Sequence, residues 1–179
     1  QLDVPVQMIE GRRITDAANL EIVTMLYGGK INKNIVAQLQ ALNCNAIGLS
    51  GADGNAISAV KRPVDKIDYG FVGDITAVNE NLFQLLMNNG LNPVCCAISH
   101  DEKGQLLNTN ADTVAASIAK ALSKRFEVFL LYCFEKNGVL RYIEDEQSVI
   151  ESIQPTSYAD LKSKGIINAG MIPKIDNCF

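Results

Sequence analysis

Basic blocks, metal-type cysteine spacing and a second histidine are all missing from this chain of 179 residues, and each absence removes a class of function. Its 16 lysines and arginines are outnumbered by 20 acids and never cluster beyond adjacent pairs such as Lys61-Arg62 and Lys124-Arg125. Nucleic acid is therefore not an expected partner, since binding it needs a concentrated positive face. The five cysteines, at 44, 95, 96, 133 and 178, are odd in number and lack a Cys-x-x-Cys pair. That argues against a disulfide framework and a zinc site, and a reducing cytoplasm is the expected compartment. His100 has no obvious serine or cysteine partner in a recognisable catalytic arrangement, so a hydrolase triad has little support. No apolar run approaches the roughly 20 residues that cross a bilayer. The longest, Val128 to Phe134, has the length of a buried strand. Gly51-Ala-Asp-Gly54 lacks the Gly-Lys-Ser/Thr ending of a phosphate loop and reads as a tight turn.

What remains is a soluble globular composition, 47% hydrophobic and 20% charged, with strands and helices in alternation. After a Thr15/Asp16 capping signal, Ala17, Leu20, Val23, Leu26 and Tyr27 recur at helical spacing, and Gly28-Gly29 offers a stop. A second helix is expected over 32–42, with Ile35, Val36, Leu39 and Leu42 on one face, leading into a strand over 46–49. Residues 57–78 lack helical period and read as a short antiparallel ribbon. A helix over 81–88 ends at Gly90. Pro93 to Ser99 suits a strand buried on both faces, 100–104 a hairpin connection, 111–122 an alanine-rich helix and 127–131 another buried strand. Adjacent Cys95 and Cys96 should pack on opposite faces. These elements predict an α/β fold: a three-layer αβα sandwich on a mainly parallel sheet, with a short β-ribbon. Nothing divides the chain, so residues 1–179 are expected to form one domain. It opens at Gln1 without methionine and stops at Phe179, just after Lys174-Ile-Asp, where an amphipathic helix is under way, so it is expected to be incomplete at both ends.

In such sheets ligands bind beyond the carboxyl ends of the strands. Three segments carry suitable chemistry. Gly11-Arg-Arg-Ile-Thr15 sets two arginines ahead of a helix, where a guanidinium can grip a carboxylate, although a solvated basic turn fits equally. Leu107-Asn-Thr-Asn-Ala-Asp112 opens a helix, bringing polar side chains to its free N–H groups. Asn108 could donate to an anionic ligand and Asp112 could organise lysines or a metal, against the plainer role of a cap or first-turn acid. In Gly170-Met-Ile-Pro-Lys174 a lysine in the first turns of a helix can meet phosphate oxygens, or can simply be solvated.

Taken together these stretches resemble the acetylglutamate kinases. Gly11-Arg-Arg-Ile-Thr-Asp16 followed by Tyr27-Gly-Gly-Lys-Ile-Asn-Lys33 is similar to that family's Gly-x-Arg-Val-Thr turn and a helix closed by Gly-x-x-Asn-Lys. Leu49 to Asn55 and Asp68-Tyr-Gly-Phe-Val-Gly-Asp74 look like two more of its segments. Leu107 to Asp112 resembles Asn-x-Asn-Ala-Asp, and Gly165 to Lys174 resembles Gly-Gly-Met-x-x-Lys. The resemblance implies that Arg13 and Asn108 hold the α-carboxylate of N-acetylglutamate. It makes Asp112 the acid that orients catalytic lysines and Lys174 the lysine that neutralises the transferring phosphoryl group. Tyr132, Cys133, Phe134, Gly170 and Met171 would line the adenine side. It further implies ATP with Mg2+ and a homodimer.

Two departures stand out. The family's Thr/Ser-Asp-Val-x-Gly appears as Tyr132-Cys-Phe-Glu-Lys-Asn-Gly138, longer and without the aspartate, and the Lys-x-Gly-Gly and triple-glycine segments are not in this chain. Another acyl group, such as succinyl, or a non-catalytic amino-acid sensor on the same fold are the competing expectations.

Overall fold

The computed structural model describes residues 7–9, 12–167 and 171–179, with the side chains of Arg12 and Pro173 left aside. The chain forms two compact units, Gln1–Val128 and Phe129–Phe179.

The first unit opens with a two-residue ribbon, β1 (Met8–Ile9) antiparallel to β2 (Arg12–Arg13). Asp16 then caps α1 (Ala17–Val23): its Oδ1 accepts from the Asn19 backbone N–H at 2.8 Å, satisfying a donor that the helix start leaves open. This bond, the largest cause, holds the Asp16 carboxyl below the usual range. Thr15, half of the expected capping signal, is fully buried instead.

The expected stop at Gly28-Gly29 does not occur. The chain widens into a π-helix (Thr24–Ile31) and runs on as α2 (Asn32–Ala41). Glycine ends a helix by adopting positive φ, and neither residue does so here. The expected apolar face of α2 is also largely exposed, with Ile35 at 42% and Leu42 at 76%. The buried residue of α2 is Asn32, whose Nδ2 donates to the Val94 carbonyl at 2.7 Å.

That carbonyl belongs to a parallel strand pair, β3 (Ala46–Leu49) with a later strand over 92–95, in which Gly48 lies opposite Val94. Gly48 gives the Asn32 amide its room: a Cβ there would lie 1.8 Å from Asn32 Oδ1 and 2.7 Å from Lys33 Nζ. The 51–54 turn forms as expected, with Asp53 Oδ2 accepting from the Ser50 N–H and hydroxyl.

The ribbon expected over 57–78 is the antiparallel pair β4 (Ile57–Lys61) and β5 (Gly73–Val78). Next, α3 (Glu80–Asn88) is capped by Asn79 and followed by Gly90 at φ +70°.

The apolar run over 93–99 is not one strand. It divides into β6 (Asn92–Cys95), parallel to β3, and β7 (Ile98–His100), which pairs with β4. Between them the Cys96 N–H donates to the Leu49 carbonyl, and the Ala97 carbonyl accepts from Thr109 N–H. The backbone thus changes partners at Cys96-Ala97, and a continuous ladder is broken. A hairpin through 101–105 leads to β8 (Leu106–Asn108), giving the order β5-β4-β7-β8. Asn110 caps α4 (Ala111–Leu122) through the Thr113 N–H, as the polar segment before an alanine-rich run predicts.

Apolar side chains gather on two faces. Leu20, Val23, Cys96 and Ile98 pack on the α1 side. Ala56, Ile57, Phe83 and Val114, with Cys95 against them, pack under α3 and α4. The two neighbouring cysteines therefore serve opposite layers, as strand alternation requires. Burial raises both thiols, Cys95 to about 11.

The strand expected over 127–131 does not form either: the segment has no regular structure, and Phe129 and Leu131 are 79% and 82% exposed. An apolar run becomes a strand only where a ladder accepts it, and none of the described strands pairs with this one. In the second unit α5 (Pro155–Ser163) and α6 (Ile172–Asp176) bury Leu161, Ile167 and Ile175 together, and Leu140 forms an antiparallel bridge with Val149.

Gly48→Ala would force Asn32 off the Val94 carbonyl. We expect a loss of about 1–3 kcal/mol, the usual cost of overpacking a well-filled site, read as a lower urea midpoint. An unchanged midpoint would show that Asn32 does not tie α2 to the β3–β6 pair.

Candidate active site

Three segments far apart in sequence meet at the carboxyl end of β8. Asn108, the last residue of that strand, donates from Nδ2 to Thr15 Oγ1 at 3.0 Å across 93 residues. The backbone between 69 and 72 runs along both partners. Thr15 N–H donates to the Tyr69 carbonyl at 3.0 Å, Phe71 N–H to the Thr15 carbonyl at 2.7 Å, and Asn108 N–H to the Phe71 carbonyl at 2.9 Å. Gly70 makes the crossing possible. Its φ is +71°, and a Cβ there would lie 2.2 Å from the Thr15 carbonyl oxygen. Only glycine combines that backbone with that approach.

Below this crossing, Ser99 and Thr109 hydroxyls share a buried hydrogen bond of 2.6 Å, and Gly73 passes over them with no space for a side chain. Arg13 leaves β2 two residues before Thr15 and is half-buried. Asp112, also half-buried, stands in the first turn of α4, four residues beyond Asn108. The fold thus brings the turn carrying Arg13 to Asn108, and sets Asp112 at the helix start that follows.

Flanking basic residues stack on the aromatics of the same stretch. The Arg62 guanidinium lies 5.5 Å from the Tyr69 ring centroid and donates from Nε to Asp74 Oδ1 at 3.0 Å; Lys61 Nζ lies 5.1 Å from the Phe71 ring centroid. These groups stiffen the 69–72 backbone from its exposed side.

The hairpin delivering Asn108 is held at its turn. Glu102, at φ +62°, accepts from Ser58 Oγ at 2.8 Å and from Asn55 Nδ2 at 3.2 Å, and its N–H donates to His100 Nδ1 at 3.3 Å. His100 therefore has a structural contact, and its Nε2 is buried without a hydrogen-bond partner among the described residues.

Within the second unit, Lys174 lies in α6 with Nζ 5.8 Å from the Tyr132 ring centroid. Two residues expected on the nucleotide side and at phosphate are thereby neighbours across 42 positions of sequence. Cys133 and Phe134 follow Tyr132 and are exposed, and Met171 packs beside α6 on the Leu161 core. Gly170 lies outside the described residues. A separate cavity of about 320 Å³ in the first unit, lined by Phe83, Met87, Cys95, Val114, Ile118 and Leu122 among others, carries no charged side chain and offers nothing to an anion.

The model of the amino acid kinase family matches residues 1–179. An acetylglutamate kinase from Cytophaga hutchinsonii is 56% identical over 99% of this chain and 68% of its own length, and one from Phocaeicola vulgatus is 55% identical over 100% and 70%. The chain belongs to the acetylglutamate kinases of the amino acid kinase family. The crystal structure of smu.665 from Streptococcus mutans UA159, at 28% identity, superposes with a TM-score of 0.84 over 97% of this chain and 67% of that one. The α/β fold is thus that of the family, and the protein is a kinase. Among the described residues no helix is long and apolar enough to cross a membrane.

The structure adds two residues to this candidate site. Thr15 stands in the sequence reading as part of the arginine turn and of a capping signal, and Gly70 as part of the family-like Asp68–Asp74 segment; neither is expected there to meet the other. The hydrogen bond across 93 residues leaves no local trace. A signal was present in Gly70, since a glycine within a strand-like segment often marks a place where another backbone approaches closely.

The hairpin clamp predicts a pH response. The Ser58 hydroxyl, then the Asn55 amide, hold the Glu102 carboxyl below its ordinary value. A carboxylate depressed in the folded state contributes stability above the unfolded value of about 4.3, and that contribution is lost as pH falls through the folded value. Denaturant midpoints should drop below about pH 4.3 in wild type and drop less in Glu102→Gln. Equal slopes would remove the clamp.

Proposed function

We propose that this chain carries the acyl-amino-acid site of an enzyme that transfers the γ-phosphoryl group of Mg-ATP to the γ-carboxylate of N-acetyl-L-glutamate, a step of arginine biosynthesis. The observation that carries the reading is the Thr15–Asn108 bond, which puts the arginine turn beside the asparagine that the family pattern assigns to the same carboxylate. On this reading the Arg13 guanidinium and the Asn108 amide hold the α-carboxylate, leaving the γ-carboxylate free to react.

The nucleophile is a carboxylate, already ionised at neutral pH, so no general base is needed. One of its oxygens attacks the γ-phosphorus in line, and the bond from that phosphorus to the β–γ bridging oxygen breaks as ADP leaves. No proton moves. What the protein supplies is position and positive charge, and Lys174 is assigned to the charge that builds on the transferring group. Asp112 is assigned to the electrostatic ordering of the cationic groups. Tyr132, Cys133, Phe134, Gly170 and Met171 are assigned to the adenine side. Among the described residues no group of three or more His, Cys, Asp or Glu is gathered for a metal. Mg2+ is assigned to the nucleotide, as an ion that arrives with ATP on phosphate oxygens and water.

Kinetics of the intact enzyme test these roles. Lys174→Ala should lower kcat by about 100-fold or more. Arg13→Ala should raise the KM for N-acetylglutamate roughly 10- to 100-fold, the cost of a charged hydrogen-bonding partner. Wild-type constants in both variants would remove the assignment. Turnover of N-succinylglutamate and of aspartate in the same assay decides the acyl group and the acceptor. An enzyme that binds an acylglutamate but shows no ATP binding by calorimetry would be a sensor.

We further assign a homodimer. The exposed apolar side chains of Met25, Leu26, Ile31 and Ile35 on the long helical run support it. Sedimentation equilibrium should give twice the chain mass, and a monomer at micromolar concentration would refute it.

A further inference from the structure

We infer that Thr15 is a positioning residue of the acyl-glutamate site, acting through Asn108; the inference rests on the function proposed above. Thr15 is fully buried, so its hydroxyl cannot reach a ligand. It reaches Asn108 instead, accepting one of the two Nδ2 protons at 3.0 Å.

An asparagine side chain turns easily about its terminal torsion, which has broad, twofold preferences. With one proton committed to Thr15, the carboxamide keeps a single orientation, and its other N–H and its Oδ1 remain available for a ligand. The lock would be useless if Thr15 itself shifted. Its N–H and carbonyl are both bonded to the 69–71 backbone, and the Asn108 N–H is bonded to the Phe71 carbonyl. Both ends of the bridge are thus fixed to the same short segment. Ordering the amide before the substrate arrives removes that entropy from the cost of binding. Arg13, two residues before Thr15, has its backbone set by the same anchor.

The test is a double-mutant cycle on Thr15→Val, which keeps the shape and removes the hydroxyl, Thr15→Ser, which keeps the hydroxyl, and Asn108→Ala. Thr15→Val should raise the KM for N-acetylglutamate about five- to tenfold, the worth of one hydrogen bond. The KM for ATP should not move and kcat should change by less than about twofold, since only substrate placement is affected. Thr15→Ser should return the KM to near wild type, and in Asn108→Ala the Thr15→Val change should add no further loss. A Thr15→Ser enzyme as impaired as Thr15→Val, or a full Thr15→Val penalty in the Asn108→Ala background, would assign Thr15 to general stability and overturn the role.

A measurement without turnover accompanies it. The Asn108 side-chain amide signal, identified by its loss in Asn108→Ala, should show one slowly exchanging proton in wild type and Thr15→Ser. Should Thr15→Val fail to fold, this signal decides: exchange as fast as for exposed asparagines would overturn the lock. Absence of any N-acylglutamate turnover in wild type would sink the functional reading and the role together, whereas turnover that Thr15→Val leaves unchanged would sink the role alone.

Discussion

The first unit is organised around one close crossing of backbones, where Gly70 passes Thr15 at a distance no side chain tolerates. Backbone polar groups buried away from water must find partners, and here they find one another. Thr15 is bonded on both sides to the 69–71 segment, and Phe71 passes the connection on to Asn108. The arginine turn, the ribbon and the end of β8 are held by this junction. It joins parts of the chain that contribute separately to binding on the proposed reading, and it does so mainly through backbone groups.

The chemistry assigned to the family explains why such a scaffold suffices. Phosphoryl transfer to a carboxylate asks for no activated hydroxyl and no histidine base. A chain with one histidine, itself engaged at a hairpin turn, is therefore no poorer for the task. What the reaction needs is fixed geometry. The buried pair Ser99–Thr109 lies beside Asn108, Glu102 ties down the turn of its hairpin, and Arg62 and Lys61 stack on the aromatics of the 69–71 segment.

Much of the fold was legible. The alanine-rich run predicted α4 over the whole of 111–122, and Asn110 caps it as a polar residue there should. The ribbon over 57–78 and the opposite packing of Cys95 and Cys96 followed from period and alternation alone. The misses share a cause. Gly28-Gly29 permitted a stop without requiring one. The run over 93–99 was apolar throughout but had to change pairing partners halfway. The run after residue 127 was apolar enough for a strand and has no ladder among the described residues to join. Hydrophobicity says that a segment should be buried. It does not say which hydrogen-bond partners will be beside it.

The same division holds at the site. The sequence by itself determined the family, because Arg13, Asn108, Asp112 and Lys174 each stand in a segment whose residue order is local and can be read without coordinates. It also set the expectation that nucleic acid and a hydrolase triad play no part, through the single histidine and the dispersed charge. Tertiary structure alone decided that residue 15 answers to residue 108, that Asn32 answers to Val94 across Gly48, and that Lys174 stands near Tyr132. Those pairings depend on distances between segments dozens of residues apart, and a hydrogen bond exists only within a few tenths of an ångström of its optimum. No pattern along the chain carries that measurement until the chain has folded.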